Sequence, residues 1–220
     1  MFVLLVSLFL FVGDNMRNNK LILFDWGGIV ESHKTGYNCY SAWTDLLTMF
    51  GSIKDSSVLM KYELSALSTI EELEKAYDLI KEECKLTANF NEFVEKYYEV
   101  FDKVEYYKDV RDYEHSLKDK CYIGVLSNLL IIDKDRINKQ LGLSNYDYVF
   151  LSFELGCRKP DIKIFEKVQN KLPFDKNDIL FIDDKTMNIE SAKKFGWNTL
   201  QATGLELDKI KEEVERFLNK

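Results

Sequence analysis

Two apolar runs in this chain end in aspartate: Leu-Ile-Leu-Phe ahead of Asp25, and Ile-Leu-Phe-Ile ahead of Asp183 and Asp184. Four β-prone residues between turn-type flanks, with no polar residue interleaved, describe a strand buried on both faces. Runs of the same kind occupy 121–126 and 148–152, and a fifth lies near 198–202. Between the later runs, helical stretches cover 135–141, 162–171 and 188–195. Strand and helix alternate, which predicts an α/β fold: a doubly wound parallel sheet with right-handed crossovers.

The first gap breaks that rhythm. About 95 residues separate the first two strands, where a parallel crossover requires only about a dozen. Their pattern is helical throughout. Tyr40, Trp43, Leu47 and Phe50 are spaced 3, 4 and 3; Ile70, Leu73, Tyr77 and Ile80 repeat that spacing; Phe90, Phe93, Tyr97 and Phe101 make a third stripe. Thr69 with Glu72, and Asn89 with Glu92, have the spacing of capping boxes. The pattern predicts an all-helical domain over 32–107, inserted after the first strand and lying over the carboxyl end of the sheet as a lid. Its aromatic stripes read as core rather than as a substrate groove. A helix over 111–120 then leads into the second strand, and 16–31 with 108–220 form the α/β core.

Composition supports this and narrows the partners. A chain of 220 residues with 15 Phe, 12 Tyr and 3 Trp can fill one substantial core plus an insertion, and 2 Pro with 10 Gly exclude low complexity. Net charge is −7 with no basic stripe, which argues against a grip on DNA or RNA. Cys39, Cys84, Cys121 and Cys157 are widely spaced without a C-x-x-C, so they read as free thiols of a reducing cytoplasm. Residues 1–15 are the odd part. They are apolar over 1–12, too short to span a bilayer in the ordinary way, with no preceding basic residue and no cleavage-type site. They read as an over-extended start ahead of Met16, with export or anchoring as the alternative. The expectation is a cytoplasmic protein without stable membrane association.

Chemistry concentrates at the strand ends. An acidic residue closing a buried strand is costly to desolvate unless a cation meets it, and ligands of open α/β sheets bind at the carboxyl ends of the strands. Asp25, Asp183 and Asp184 therefore read as one acidic site for a divalent cation. Four segments stand in order: Asp25-Trp-Gly27-Gly28, Ser127-Asn128, Arg158-Lys159-Pro160, and Asp183-Asp184 with Asn188. Asp25 can attack phosphorus, and the glycine pair leaves backbone N–H groups free to approach an anion. Ser127 can donate to a phosphoryl oxygen, and Lys159 supplies positive charge against developing negative charge. Asp184 and Asn188, one helical turn apart, offer hard oxygen ligands for Mg²⁺.

These motifs, with Phe153-Glu-Leu-Gly-Cys-Arg-Lys-Pro-Asp161 and the stretch from Asn188 to Trp197, resemble the haloacid dehalogenase-like hydrolase superfamily, in the branch with a helical cap after strand one. The resemblance covers roughly 20–204. It implies a Rossmann-like core of strand order 5-4-1-2-3 and an aspartyl-phosphate intermediate at Asp25. It also implies metal bound by Asp25, the Gly27 carbonyl and Asp184, and phosphate held by Ser127 and Lys159; the residues themselves add Asn188 as a further metal ligand with Asp183 behind, and Gly27, Gly28 and Asn128 beside the substrate. The chain departs from the usual phosphatase pattern at Gly27, where a second aspartate ordinarily serves as acid/base. Losing such a group costs about 10²–10⁴-fold unless it is replaced. Glu31 and His33 are the nearest substitutes; otherwise both read as a solvated hinge. The Asp-x-Gly-Gly variant resembles a subgroup that includes sugar-phosphate phosphatases. The expected function is Mg²⁺-dependent hydrolysis of a small phosphorylated metabolite. The alternatives are a 2-haloacid dehalogenase-type hydrolase or a non-catalytic phosphometabolite-binding protein on the same fold.

Overall fold

The computed structural model describes residues 17–50 and 61–220, so the apolar 1–15 segment lies outside it. Five parallel strands form one sheet: β1 Leu21–Phe24, β2 Tyr122–Ser127, β3 Tyr148–Leu151, β4 Ile179–Asp183 and β5 Asn198–Gln201. Their order is β3-β2-β1-β4-β5, the expected 5-4-1-2-3 read from the other edge. Around them lie α4 Lys108–Ser116, α5 Asp133–Leu141, α6 Ser152–Leu155, α7 Ile162–Gln169, α8 Thr186–Phe195 and α9 Leu207–Leu218.

The unbroken apolar runs have a direct cause. Ile22 and Phe24 of β1 join one cluster with Val110, Ile210, Val214 and Phe217, whereas Leu21 and Leu23 join another with Ile164, Phe165, Val168 and Trp197. Successive side chains of a strand alternate faces, and here both faces carry helices, so every position must be apolar. The register then sets the site. Phe24 lies opposite Val125 of β2 and Ile182 of β4, so Asp25, one residue on, emerges level with Leu126 and Asp183.

The segment between β1 and α4 is helical: α1 Cys39–Phe50, α2 Ile70–Cys84 and α3 Phe90–Phe101. It has its own apolar cluster, joined by Leu130 and Ile132 from the loop after β2. Both expected capping boxes form, at Thr69–Glu72 and Asn89–Glu92. Chain entry and exit are stitched together: Ser32 N–H donates to Glu105 O at 2.9 Å, and Tyr107 N–H donates to Val30 O at 2.8 Å.

Three expectations needed adjustment. The helix placed at 111–120 runs Lys108–Ser116, because Val110 is the residue that packs inward and the chain must then turn into β2. Ser152, expected to close β3, opens α6. The first aromatic stripe is not simply core: Tyr40 is 60% exposed, and it lines a cavity together with Trp43. The side chains of Leu47 and Phe50 lie outside the described set.

Candidate active site

Asp25 stands just past β1, 5% exposed, at the floor of a cavity of about 510 Å³ between the sheet and the helical insertion. One of its oxygens, Oδ1, receives three donors: Trp26 N–H at 2.7 Å, Ser127 Oγ at 2.9 Å and Lys159 Nζ at 2.9 Å. Lys159 is buried and also donates to Asp183 Oδ2 at 2.7 Å and to Leu126 O at 2.8 Å. Burial alone would lower its ammonium pKa, but the Asp183 and Asp25 carboxylates outweigh that and raise it. Asp183 moves up as well, because its burial exceeds what Lys159 gives back.

Each expected residue reaches this place, with roles that differ in detail. Asn128 uses both ends of its amide on the Lys159 backbone, accepting from Lys159 N–H at 2.9 Å and donating to Lys159 O at 2.8 Å. It thereby clamps the lysine loop rather than aiming at a substrate. Asn188 donates to both oxygens of Asp183, at 3.0 and 2.9 Å, and Lys185 N–H adds a third contact. Asp183 thus gathers Lys159, Lys185 N–H and Asn188 around one carboxylate, and Asn188 reaches the acidic cluster through it.

A divalent cation fits what is left. Asp25, Asp183 and Asp184 each offer a carboxylate oxygen within 4.8 Å of the others. Asp184 Oδ1 is buried without a hydrogen-bond partner, an arrangement that is expensive unless a cation completes it. Gly28 has φ +81°, and a Cβ there would lie 2.5 Å from the Asp184 carboxylate. Only glycine lets the loop pass so close.

Glu31 and His33 are not a solvated hinge. Glu31 is buried and accepts from Arg136 Nη1 at 3.0 Å. His33 Nδ1 lies 3.3 Å from Asp184 Oδ2, and a Cβ built on Gly27 would meet His33 Nε2 at 3.0 Å. The imidazole therefore fills the room that a side chain at position 27 would take. The Arg136 cluster had been missed altogether: its guanidinium also donates to Asp133 Oδ1 at 3.1 and 2.9 Å, and Tyr97 donates to the same oxygen at 2.7 Å. The local signal was the Asp133-x-x-Arg136 spacing on α5; the partners on other elements left none.

The family model described as haloacid dehalogenase-like hydrolase matches residues 22–202. The chain belongs to that family. Among solved structures, a HAD family enzyme from Bacteroides thetaiotaomicron, captured with magnesium and inorganic phosphate, shares 20% identity at TM-score 0.66, covering 86% of this chain and 96% of that one. A predicted HAD-like family hydrolase from Porphyromonas gingivalis shares 20% identity at TM-score 0.69, covering 92% and 99%. L-2-haloacid dehalogenase from Xanthobacter autotrophicus, with chloropropionic acid covalently bound, shares 15% at TM-score 0.64, covering 90% and 83%. At such identities the likeness is one of fold. A curated relative, drimenol cyclase drtB of Aspergillus calidoustus, is 33% identical over 73 residues, a stretch that spans 33% of this chain and 13% of the cyclase. In this haloacid dehalogenase-like chain no helix among the described residues is long and apolar enough to cross a membrane.

Proposed function

We propose that the protein is a Mg²⁺-dependent phosphatase for a small phosphorylated metabolite. The observation that carries this reading is the convergence of Trp26 N–H, Ser127 and Lys159 on one oxygen of Asp25, beside the unpartnered Asp184 Oδ1. With Oδ1 so held, Oδ2 is the oxygen that attacks phosphorus in line, forming an aspartyl phosphate as the ester oxygen leaves. Water then attacks that phosphorus, releasing phosphate and restoring Asp25. Ser127 and Lys159 donate to the phosphoryl oxygens as charge develops on them. Asp25, Asp184 and the Gly27 carbonyl would hold Mg²⁺, which supplies Lewis-acid neutralisation of the phosphoryl group. His33, in the room above Gly27, is positioned to stand in for the absent second aspartate as acid/base toward the leaving oxygen. The magnesium and phosphate found in the Bacteroides enzyme support the reading.

The test is phosphate release from a panel of sugar and other monophosphates, with Mg²⁺ or with chelator. Turnover is expected only with Mg²⁺, and Asp25→Asn should lower it on the order of 10⁴-fold while leaving the circular dichroism unchanged. Chelator-resistant halide release from 2-haloacids, with no phosphate release, would overturn the reading in favour of the dehalogenase chemistry named for the Xanthobacter enzyme.

A further inference from the structure

The cations around the cavity fall into two sets. Lys159 is neutralised by Asp25 and Asp183, and Arg136 by Glu31 and Asp133. Arg158 and Lys185 line the same cavity. Among the described residues neither has a carboxylate within ion-pair distance, and Arg158 Nε is buried without an acceptor. Both belong to backbone that the site holds in place. Arg158 sits between buried Cys157 and the Lys159 peptide clamped by Asn128, while Lys185 donates its N–H to Asp183 Oδ1 at 2.8 Å. They stand on opposite flanks of Asp25, after β3 and after β4 respectively.

Lys185 is exposed and keeps its hydration, but Arg158 is partly buried, and a cation drawn into a cavity without a partner loses hydration and gains nothing in return. Burial accordingly pulls the Arg158 guanidinium pKa down, with Glu63 giving only through-space relief. An anion arriving with the ligand reverses that deficit, and a guanidinium fork matches a carboxylate or phosphate through two parallel hydrogen bonds. The cavity volume suits a small metabolite carrying both groups.

We infer that the substrate bears a second anionic group, a carboxylate or a further phosphate, which Arg158 receives while the scissile phosphoryl group lies on Asp25; the exposed Lys185, on the other flank, adds only through-space attraction. The inference rests on the phosphatase reading, and it names the substrate class that reading leaves open. It places part of the specificity on the core loop that carries Lys159, beside the lining that the helical insertion supplies.

Calorimetry on the Mg²⁺-loaded protein tests this without turnover. Phosphonoacetate and phosphonopropionate are compared with ethylphosphonate and propylphosphonate, which lack the carboxylate. The better carboxylated ligand is expected to bind roughly tenfold or more tightly than its plain counterpart. In Arg158→Gln that ratio falls toward one, in Arg158→Lys part of it survives, and in Lys185→Met it changes by less than about twofold. Equal affinities in the unmodified protein, or a ratio that survives Arg158→Gln together with Lys185→Met, would overturn the inference. Phosphate release from p-nitrophenyl phosphate, measured alongside, reports the phosphatase reading alone. Loss of that activity with the carboxylate preference intact would sink the reading and keep the anion site.

Discussion

Glu114 of α4 is fully buried, with Tyr146 donating to Oε2 at 2.7 Å and Oε1 left without a partner. Burial pushes its carboxyl pKa up to about 8, against the hydrogen bond from Tyr146. The native state therefore holds a proton that the unfolded chain releases above about pH 4.5. Stability contributed by this group is complete below that value, declines as pH rises, and is gone once pH passes about 8. The decline amounts to about 1.4 kcal/mol for each pH unit in the window. Glu114→Gln should flatten it, which urea midpoints at both ends of the window will show; parallel curves for the two proteins would place the slope elsewhere. Residues of this kind were silent in the sequence, since Glu114 sits among polar neighbours and only the packing that brings α4 against Tyr146 buries it. Asp25, Ser127 and Asp184 were legible for the opposite reason: each closes or follows an apolar strand, where a polar group needs a chemical justification, whereas Lys159 was legible from its segment, Arg158-Lys159-Pro160. His33 was legible only as a neighbour of the glycine pair. That it fills the space above Gly27 depends on how the loop folds back.

The same division holds for whole elements. Strands β1 and β4 announced themselves because helices on both faces leave no polar position, and α2 and α3 because their apolar stripes and capping boxes agree. Helix α9 repeats the lesson: Ile210, Val214 and Phe217, at helical spacing, seal one face of the sheet, although no motif drew attention to them. What spacing did not disclose was which side of α1 meets solvent, so Tyr40 was read as core when it borders the cavity. Nor did it disclose that α5 is riveted to two other segments. Arg136 pairs with Glu31 at the entry to the insertion, and Asp133 binds both Arg136 and Tyr97 of α3. A buried ion cluster is weak evidence of stability as a whole, but removing one member strands the others. Arg136→Met leaves two buried carboxylates facing one another and should cost roughly 3–5 kcal/mol, read as a lower urea midpoint at unchanged slope. A midpoint equal to that of the parent would mean the carboxylates protonate at little cost.

For the molecule as a whole, Lys159 balances Asp25 and Asp183 but leaves Asp184 Oδ1 buried and unpartnered at the carboxyl ends of the central strands, a cost that a bound cation would relieve. If the proposed site binds Mg²⁺, a hundredfold excess over its dissociation constant should add about 2.7 kcal/mol to native stability, which for a chain of this size should raise the melting temperature by roughly 5–10 °C. Asp184→Asn should abolish most of that rise, whereas an equal rise in both proteins would locate the cation elsewhere. The stitched crossing of the chain at Val30–Ser32 and Glu105–Tyr107 has a mechanical counterpart on the far side of the cavity. There Ser68 Oγ donates to Phe153 O at 2.6 Å, and Ser152 Oγ donates to Ser65 O. The insertion is thus held by that seam, by two serines that reach backbone carbonyls, one from each side, and by Tyr97 and Tyr98 on Asp133 and Ile132. None of these ties belongs to the sheet, so the roof over Asp25 and the strand ends beneath it are fastened by separate sets of bonds.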